Sequence, residues 1–192
     1  AFAVAKELKK SAVLVTDAPA FIVNRILTRF MSEVTKCVDE GTPLELADQA
    51  VLELGLPMSP FVLLQLVGPA IALHANETLH EAFPDRFYVS DNLRRLVAAG
   101  KPGIWSWDAQ GKPYLDDSTA ELFEVGTSAS TADEVRERAM SAVADEVRRM
   151  LDEGVVAEPQ DIDTAMILGA GWPFHMGGVT PYLDRTGLSE KV

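Results

Sequence analysis

Between Ala20 and Glu40 the apolar residues Val23, Ile26, Leu27, Phe30, Met31, Val34 and Val38 return every three or four positions. That spacing predicts a long amphipathic helix with one face in a core. Gly41 follows where a helix-ending glycine belongs, and Thr42-Pro43-Leu44-Glu45 supplies a capping box for a second helix to about Leu54. Gly55 to Pro60 turns the chain, and Pro60 opens an apolar helix broken or kinked at Gly68-Pro69. Ser90-Asp91 caps a helix ending near Gly100, and the Gly-, Pro-, Asp- and Trp-rich stretch from Lys101 to Asp117 reads as an ordered loop or short hairpin. Ser118-Thr119-Ala120-Glu121 and Thr131-Ala132-Asp133-Glu134 are two more capping boxes. The second begins a long helix with Val135, Met140, Val143, Val147, Met150 and Leu151 facing inward, ended by Gly154.

The N-terminal pattern differs. Residues 2–10 form a short amphipathic helix with cations in its last turn, and Ala12-Val13-Leu14-Val15-Thr16 is a strand-like run closed by Asp17 and Pro19. A helix followed by a single apolar strand suggests the last unit of a parallel α/β sheet whose other strands lie elsewhere. Ala1-Phe2-Ala3-Val4 lacks an initiator Met and a signal-peptide layout, and reads as a cut inside a longer chain.

The helical part repeats itself. Cys37-Val38-Asp39-Glu40-Gly41 resembles Met150-Leu151-Asp152-Glu153-Gly154, and Ala47-Asp48-Gln49-Ala50 answers Ile162-Asp163-Thr164-Ala165. Gly55-Leu56-Pro57 then matches Gly171-Trp172-Pro173, and a further helix closes with Gly68 in one copy and Gly187 in the other. Landmarks kept in this order indicate a two-copy duplication of a helical unit. The expected fold class is therefore all-α: two related helical units with a short helix–strand remnant of a Rossmann-type domain. Residues 1–18 are the remnant, 19–117 the first copy and 118–192 the second.

Composition narrows the function classes. The 192 residues carry a formal net charge of -12, which argues against nucleic-acid and anionic-membrane binding. No apolar run is long enough to span a bilayer. Cys37, the lone cysteine, excludes an internal disulfide and reads as a small buried apolar residue. His74, His80 and His175 lack metal-ligand spacing, so no metal site is expected. No phosphate-cradling glycine motif follows the one strand, so the chain alone is expected to bind no cofactor.

Asn24 is the candidate functional residue. It lies in the first turns of the first long helix, directly after the strand, at the border of the apolar face. Spacing admits two readings: a buried amide satisfying a local backbone group, or an amide aimed into a cleft against a neighbouring α/β domain.

A resemblance adds to this. Asp17-Ala18-Pro19-Ala20-Phe21-Ile22-Val23-Asn24-Arg25 resembles the stretch that joins the last Rossmann-type strand to the helical C-terminal domain in the 3-hydroxyacyl-CoA dehydrogenase family. Leu54-Gly55-Leu56-Pro57-Met58-Ser59-Pro60-Phe61 with Leu63-Leu64 and Gly68, and Gly103-Ile104-Trp105-Ser106-Trp107, resemble later segments of the same domain. Asp161 through Gly187 is similar to the extra repeat of multifunctional fatty-acid oxidation proteins, where the dehydrogenase is fused behind an enoyl-CoA hydratase. Ala20 and Ser59 stand where the family has Gly, and Gln65 where it has Asp; Ala20 is expected to tighten the helix start.

The resemblance implies a cytoplasmic β-oxidation enzyme that oxidises a (3S)-hydroxyacyl-CoA and passes hydride to NAD⁺. It implies a His, a Glu and a Ser in the cofactor domain, none of them matched here. Asn24 alone has a matching position, as the catalytic-site amide that holds the His and the substrate oxygens. Acyl-CoA is the implied substrate, and a second copy or a thiolase subunit the implied partner. The alternative is a non-catalytic helical dimerisation domain of another Rossmann-type dehydrogenase, such as the 6-phosphogluconate type. Such an interface has no need of Asn24.

Overall fold

A computed structural model describes residues 1–191. Its helices are α1 (Phe2–Glu7), α2 (Val23–Glu40), α3 (Leu44–Ala50), α4 (Pro60–Val67), α5 (Pro69–Ala82), α6 (Asp91–Ala98), α7 (Asp117–Ala120), α8 (Ala132–Asp152), α9 (Pro159–Ala170) and α10 (Val179–Arg185). Two-residue strands β1 (Ser106–Trp107) and β2 (Pro113–Tyr114) pair antiparallel as a surface hairpin, Ser106 opposite Tyr114. The fold is all-α, as the periodicity predicts.

The core is built on α2 and α8, which pack along each other and form the largest helix–helix interface. From α2 come the buried Ile26, Phe30, Val34, Cys37 and Val38; from α8 come Val135, Met140, Val143, Val147 and Met150. Each of these helices is too amphipathic to stand alone, and burying one stripe against the other removes both from water. Leu151, expected inside, is only partly buried. The ends of both helices close alike. After α2 the amides of Gly41 and Thr42 donate to the carbonyls of Val38 and Cys37, each at 2.9 Å. After α8 the amides of Gly154 and Val155 donate to Leu151 at 3.1 Å and Met150 at 2.9 Å. Gly41 is required twice over: its φ is +128°, and a Cβ there would stand 2.7 Å from the Gly126 carbonyl oxygen.

A second likeness lies one helix further on. Asp48 on α3 accepts from the Phe61 amide (2.8 Å) and the Ser59 hydroxyl (2.7 Å) at the start of α4. Asp163 on α9 accepts from the amide (2.8 Å) and hydroxyl (2.6 Å) of Thr180 at the start of α10. In both places a carboxylate on one helix satisfies the free N–H groups of the next. Asp48 takes a third donor, the Trp105 indole at 2.8 Å. Burial pushes its carboxyl above the usual range, with the three donors pulling the other way.

Several local expectations fail for identifiable reasons. Val13 to Val15 form no strand: among the described residues no strand lies beside them. Instead Thr16 anchors the segment to the turn after α8, its amide donating to Val155 O at 2.9 Å and its hydroxyl to Gly154 O at 2.8 Å. Thr42 makes no capping box because its hydroxyl accepts from the Ser130 amide at 2.9 Å, tying the turn after α2 to the loop before α8, and α3 starts after Pro43 without a side-chain cap. Ser118 yields the cap of α7 to Asp116, whose carboxylate takes the Thr119 amide at 2.9 Å. The capping box at Thr131 and Glu134 and the Ser90 cap form as expected.

Candidate functional site

Two consecutive non-glycine residues with positive φ, Ala20 (+62°) and Phe21 (+52°), turn the chain into α2. Ala20 does not tighten the helix start as expected. It takes the left-handed conformation in which the family's glycine would carry no Cβ penalty, and the helix begins at Val23. No side chain caps this end, so the first turn of α2 presents free backbone N–H groups.

Asn24 and Arg25 leave that turn in different directions. Arg25 is 0% exposed and runs into the seam between α2 and α8. Its guanidinium pairs with Glu146, also 0% exposed, and donates to Glu153 at 2.6 Å. Arg86, after α5, reaches the same two carboxylates at 3.3 Å and 2.9 Å. Both guanidiniums lie over the Phe83 ring, at 4.6 Å for Arg25 and 4.0 Å for Arg86. Burial pushes the Glu153 carboxyl up, but the hydrogen bond from Arg25 and the charges of Arg25 and Arg86 outweigh it and hold the group below the usual range. This cluster pins the start of α2 to α8 and thereby fixes the place of its neighbour, Asn24.

Asn24 itself is exposed, and its amide takes no partner among the described residues. It stands at one end of a cleft of 180 Å³ between α2, α4 and α5. Leu27 and Met31 of α2, Leu63 and Val67 of α4, and Ile71 of α5 are among the apolar residues of its wall. Two of its apolar wall residues, Val67 and Ile71, are at least 44% exposed. The arrangement offers one neutral dipole, free to donate and accept, at the mouth of a greasy trough. Asn24 is exposed and lines the cleft; it is not part of the core.

Other titratable groups assemble nothing comparable. A broader concavity of 740 Å³ lies between α2, α8 and the loop before α8, where Arg138 is already engaged, donating to Glu33 at 2.9 Å and to Glu40 at 2.6 Å. Cys37 is buried, and burial pushes its thiol up to about 11. His80 is bound to the Phe87 carbonyl at 2.7 Å. Among the described residues no group of three or more His, Cys, Asp or Glu could hold a metal, and no helix is long and apolar enough to cross a membrane. Gln65, in the place of the family's Asp, packs on Gly103, where a Cβ would stand 2.5 Å from the Gln65 side chain.

Arg25, Glu146 and Glu153, which hold the start of α2 beside the cleft, were not singled out by spacing. Arg25 sits in the quoted Asn24-Arg25 motif, and Glu146 is a charge between the inward residues Val143 and Val147, a signal visible in retrospect.

Comparison with known proteins bears on the fold and the family. Residues 21–107 match the family model of the 3-hydroxyacyl-CoA dehydrogenase C-terminal domain. The alpha subunit of the fatty acid oxidation complex from Acinetobacter baylyi is 32% identical over 98% of this chain, and that from Psychrobacter arcticus 32% over 99%. The chain spans only 28% and 29% of the lengths of these relatives. Two solved structures share the fold. The 3-hydroxybutyryl-CoA dehydrogenase of Escherichia coli superposes with a TM-score of 0.71 at 20% identity, over 89% of this chain and 54% of that one. The dehydrogenase part of multifunctional enzyme 1 from C. elegans gives 0.58 at 21% identity, over 92% and 43%. Over residues 21–107 the chain is thus similar to the 3-hydroxyacyl-CoA dehydrogenase C-terminal domain.

Proposed function

We propose that this chain forms the substrate-side wall of a (3S)-3-hydroxyacyl-CoA dehydrogenase of fatty-acid β-oxidation, built from two copies of the helical unit at residues 19–117 and 118–192. One observation carries the reading: the exposed, unpartnered amide of Asn24 stands at the end of an apolar cleft, held there by the buried Arg25 pair. In this reading the cleft takes the acyl chain and keeps water from it. Asn24 binds the oxygen at the reacting carbon and orients it, acting as a fixed neutral dipole without moving a proton. The exposed rim at Val67 and Ile71 supports a face that the cofactor-bearing part of the longer protein covers.

The family's NAD⁺, which accepts the hydride when bound, finds no fitting cradle among the described residues. The strands among the described residues form a surface hairpin, and neither leads into a glycine-rich helix start. The proton-accepting group belongs with that cofactor, outside this chain. A second subunit, of this chain or of a thiolase, would dock on the outer helical faces.

The test is Asn24→Ala in the full-length enzyme. Turnover of a 3-hydroxyacyl-CoA is expected to fall by roughly a hundredfold or more, with a much smaller change in KM. The melting temperature should stay within about 2 °C, since the residue is exposed. Normal turnover in a folded variant would refute the assignment.

A further inference from the structure

The cleft that holds Asn24 does not end at α4. Leu27, Met31 and Leu63 line it and also line a second cavity of 50 Å³ on their other side. Phe30, Pro60, Ala170 and Trp172 close this inner cavity. Phe30 and Trp172 meet edge to face there, their ring centres 6.1 Å apart at 83°. Trp172 belongs to the turn after α9, so the far wall comes from the second half of the chain.

We propose that Leu63 is the chain-length determinant of the acyl site: it divides an outer cleft that any acyl chain fills from an inner cavity, closed by Trp172, that only long chains reach. This rests on reading the outer cleft as the acyl site. Three observations support it. The first is direction: Asn24 holds the reacting end, and Leu27 and Met31 follow it on the same face of α2, one and two turns on. A chain lying along that face arrives at the shared wall about 10 Å from Asn24. The second is capacity. At about 15 Å³ for each water-sized group, the outer cleft holds roughly a dozen and the inner cavity about three more. The third is mobility of the divider. Leu63, like Leu27 and Met31, is half-buried, but it is the one α4 residue that lines both cavities; Phe61 and Leu64 beside it hold α4 in the core, so Leu63 can turn aside without unpacking the helix. An apolar cavity left empty weakens the packing around it, and most of the residues lining this one are apolar.

The three tryptophans provide the readout. Trp105 is bound to Asp48 and Trp107 lies on the exposed hairpin, so the three indole N–H signals should be distinct in a nitrogen–proton correlation spectrum. A Trp172→Phe variant assigns the one of interest. The chain is titrated with butyryl-, octanoyl- and palmitoyl-coenzyme A while the Asn24 side-chain amide and the Trp172 indole are followed. All three thioesters should move the Asn24 signal, and palmitoyl alone should move that of Trp172. Leu63→Phe, which blocks the step, should weaken palmitoyl binding roughly tenfold more than butyryl binding, the loss of about two buried methylene groups. If Asn24 responds to every thioester and Trp172 to none, the inner cavity is a packing defect and the proposal falls while the acyl cleft stands. If neither signal moves, the reading of the cleft itself fails. The wild-type titration decides the matter even if Leu63→Phe does not fold.

Discussion

Replacing Glu146 with alanine should be among the most damaging single changes in this chain that leave the hydrophobic core intact. The side chain is fully buried on α8 and pairs with Arg25, itself fully buried at the start of α2, while Arg86 approaches the same carboxylate at 3.3 Å. Removing it strands a guanidinium in a place water does not reach. Breaking one partner of a buried ion pair costs about 3–5 kcal/mol, because the remaining charge keeps its desolvation penalty and loses its compensation. Glu153 still holds Arg25 at 2.6 Å, so the low end applies, about 3 kcal/mol. With a urea dependence of about 2 kcal/mol per molar for a chain of this size, the unfolding midpoint should drop by about 1.5 M. The assay is equilibrium urea unfolding followed by far-ultraviolet circular dichroism. Glu153→Ala is the control. It is partly exposed, and solvent would relieve the vacancy, so its midpoint should move much less. Joint replacement, Arg25→Met with Glu146→Leu, should recover most of the loss, because an apolar pair of similar volume carries no desolvation penalty. A fall of less than about 0.4 M for Glu146→Ala, or a larger effect at Glu153, would refute the reasoning.

Other outcomes can be checked on the same material. Ala20→Gly should stabilise the chain by roughly 0.5–1 kcal/mol in urea unfolding, since a left-handed alanine costs more than the added chain entropy of glycine. Asp48→Ala should cost about 2–4 kcal/mol and Asp163→Ala about half as much, because Asp48 serves three buried donors and Asp163 two. Acid should weaken the fold in part through Glu153. Its folded pKa lies below the unfolded value of about 4.3, so its contribution is complete above that pH and disappears as the pH falls through the folded value. Unfolding midpoints measured from about pH 6 to pH 3 should therefore fall less steeply in Glu153→Gln than in the wild type.

The long helices were legible because their stability and their pattern have one cause: α2 and α8 each bury a stripe, and a stripe is visible as period. The paired landmarks were legible too, since Asp48 and Asp163 occupy matching places in the sequence and perform the same task at the next helix start. What escaped was whatever depends on distant partners. A β-branched run at Val13–Val15 looks like a strand, but a strand needs a neighbour, and none stands beside this one. Thr42 and Ser118 have the local signature of caps, yet Ser130 and Asp116 intervene from outside the signature. In the site, Asn24 could be placed from its position after the turn, because position alone puts it at a helix start. The opposite walls from α4 and α5 could not, nor could the pairing of Arg25 with Glu146, 121 residues away.

The central claim concerns what Asn24 touches. The most direct measurement is a crystal structure of the full-length protein with a bound 3-oxoacyl-CoA. The Asn24 amide nitrogen should lie within about 3.2 Å of an oxygen of the thioester or the 3-oxo group. The acyl chain should run over Leu27 and Met31 between α2 and α4. An acyl chain bound on another face of the chain, with Asn24 left in solvent, would contradict the account.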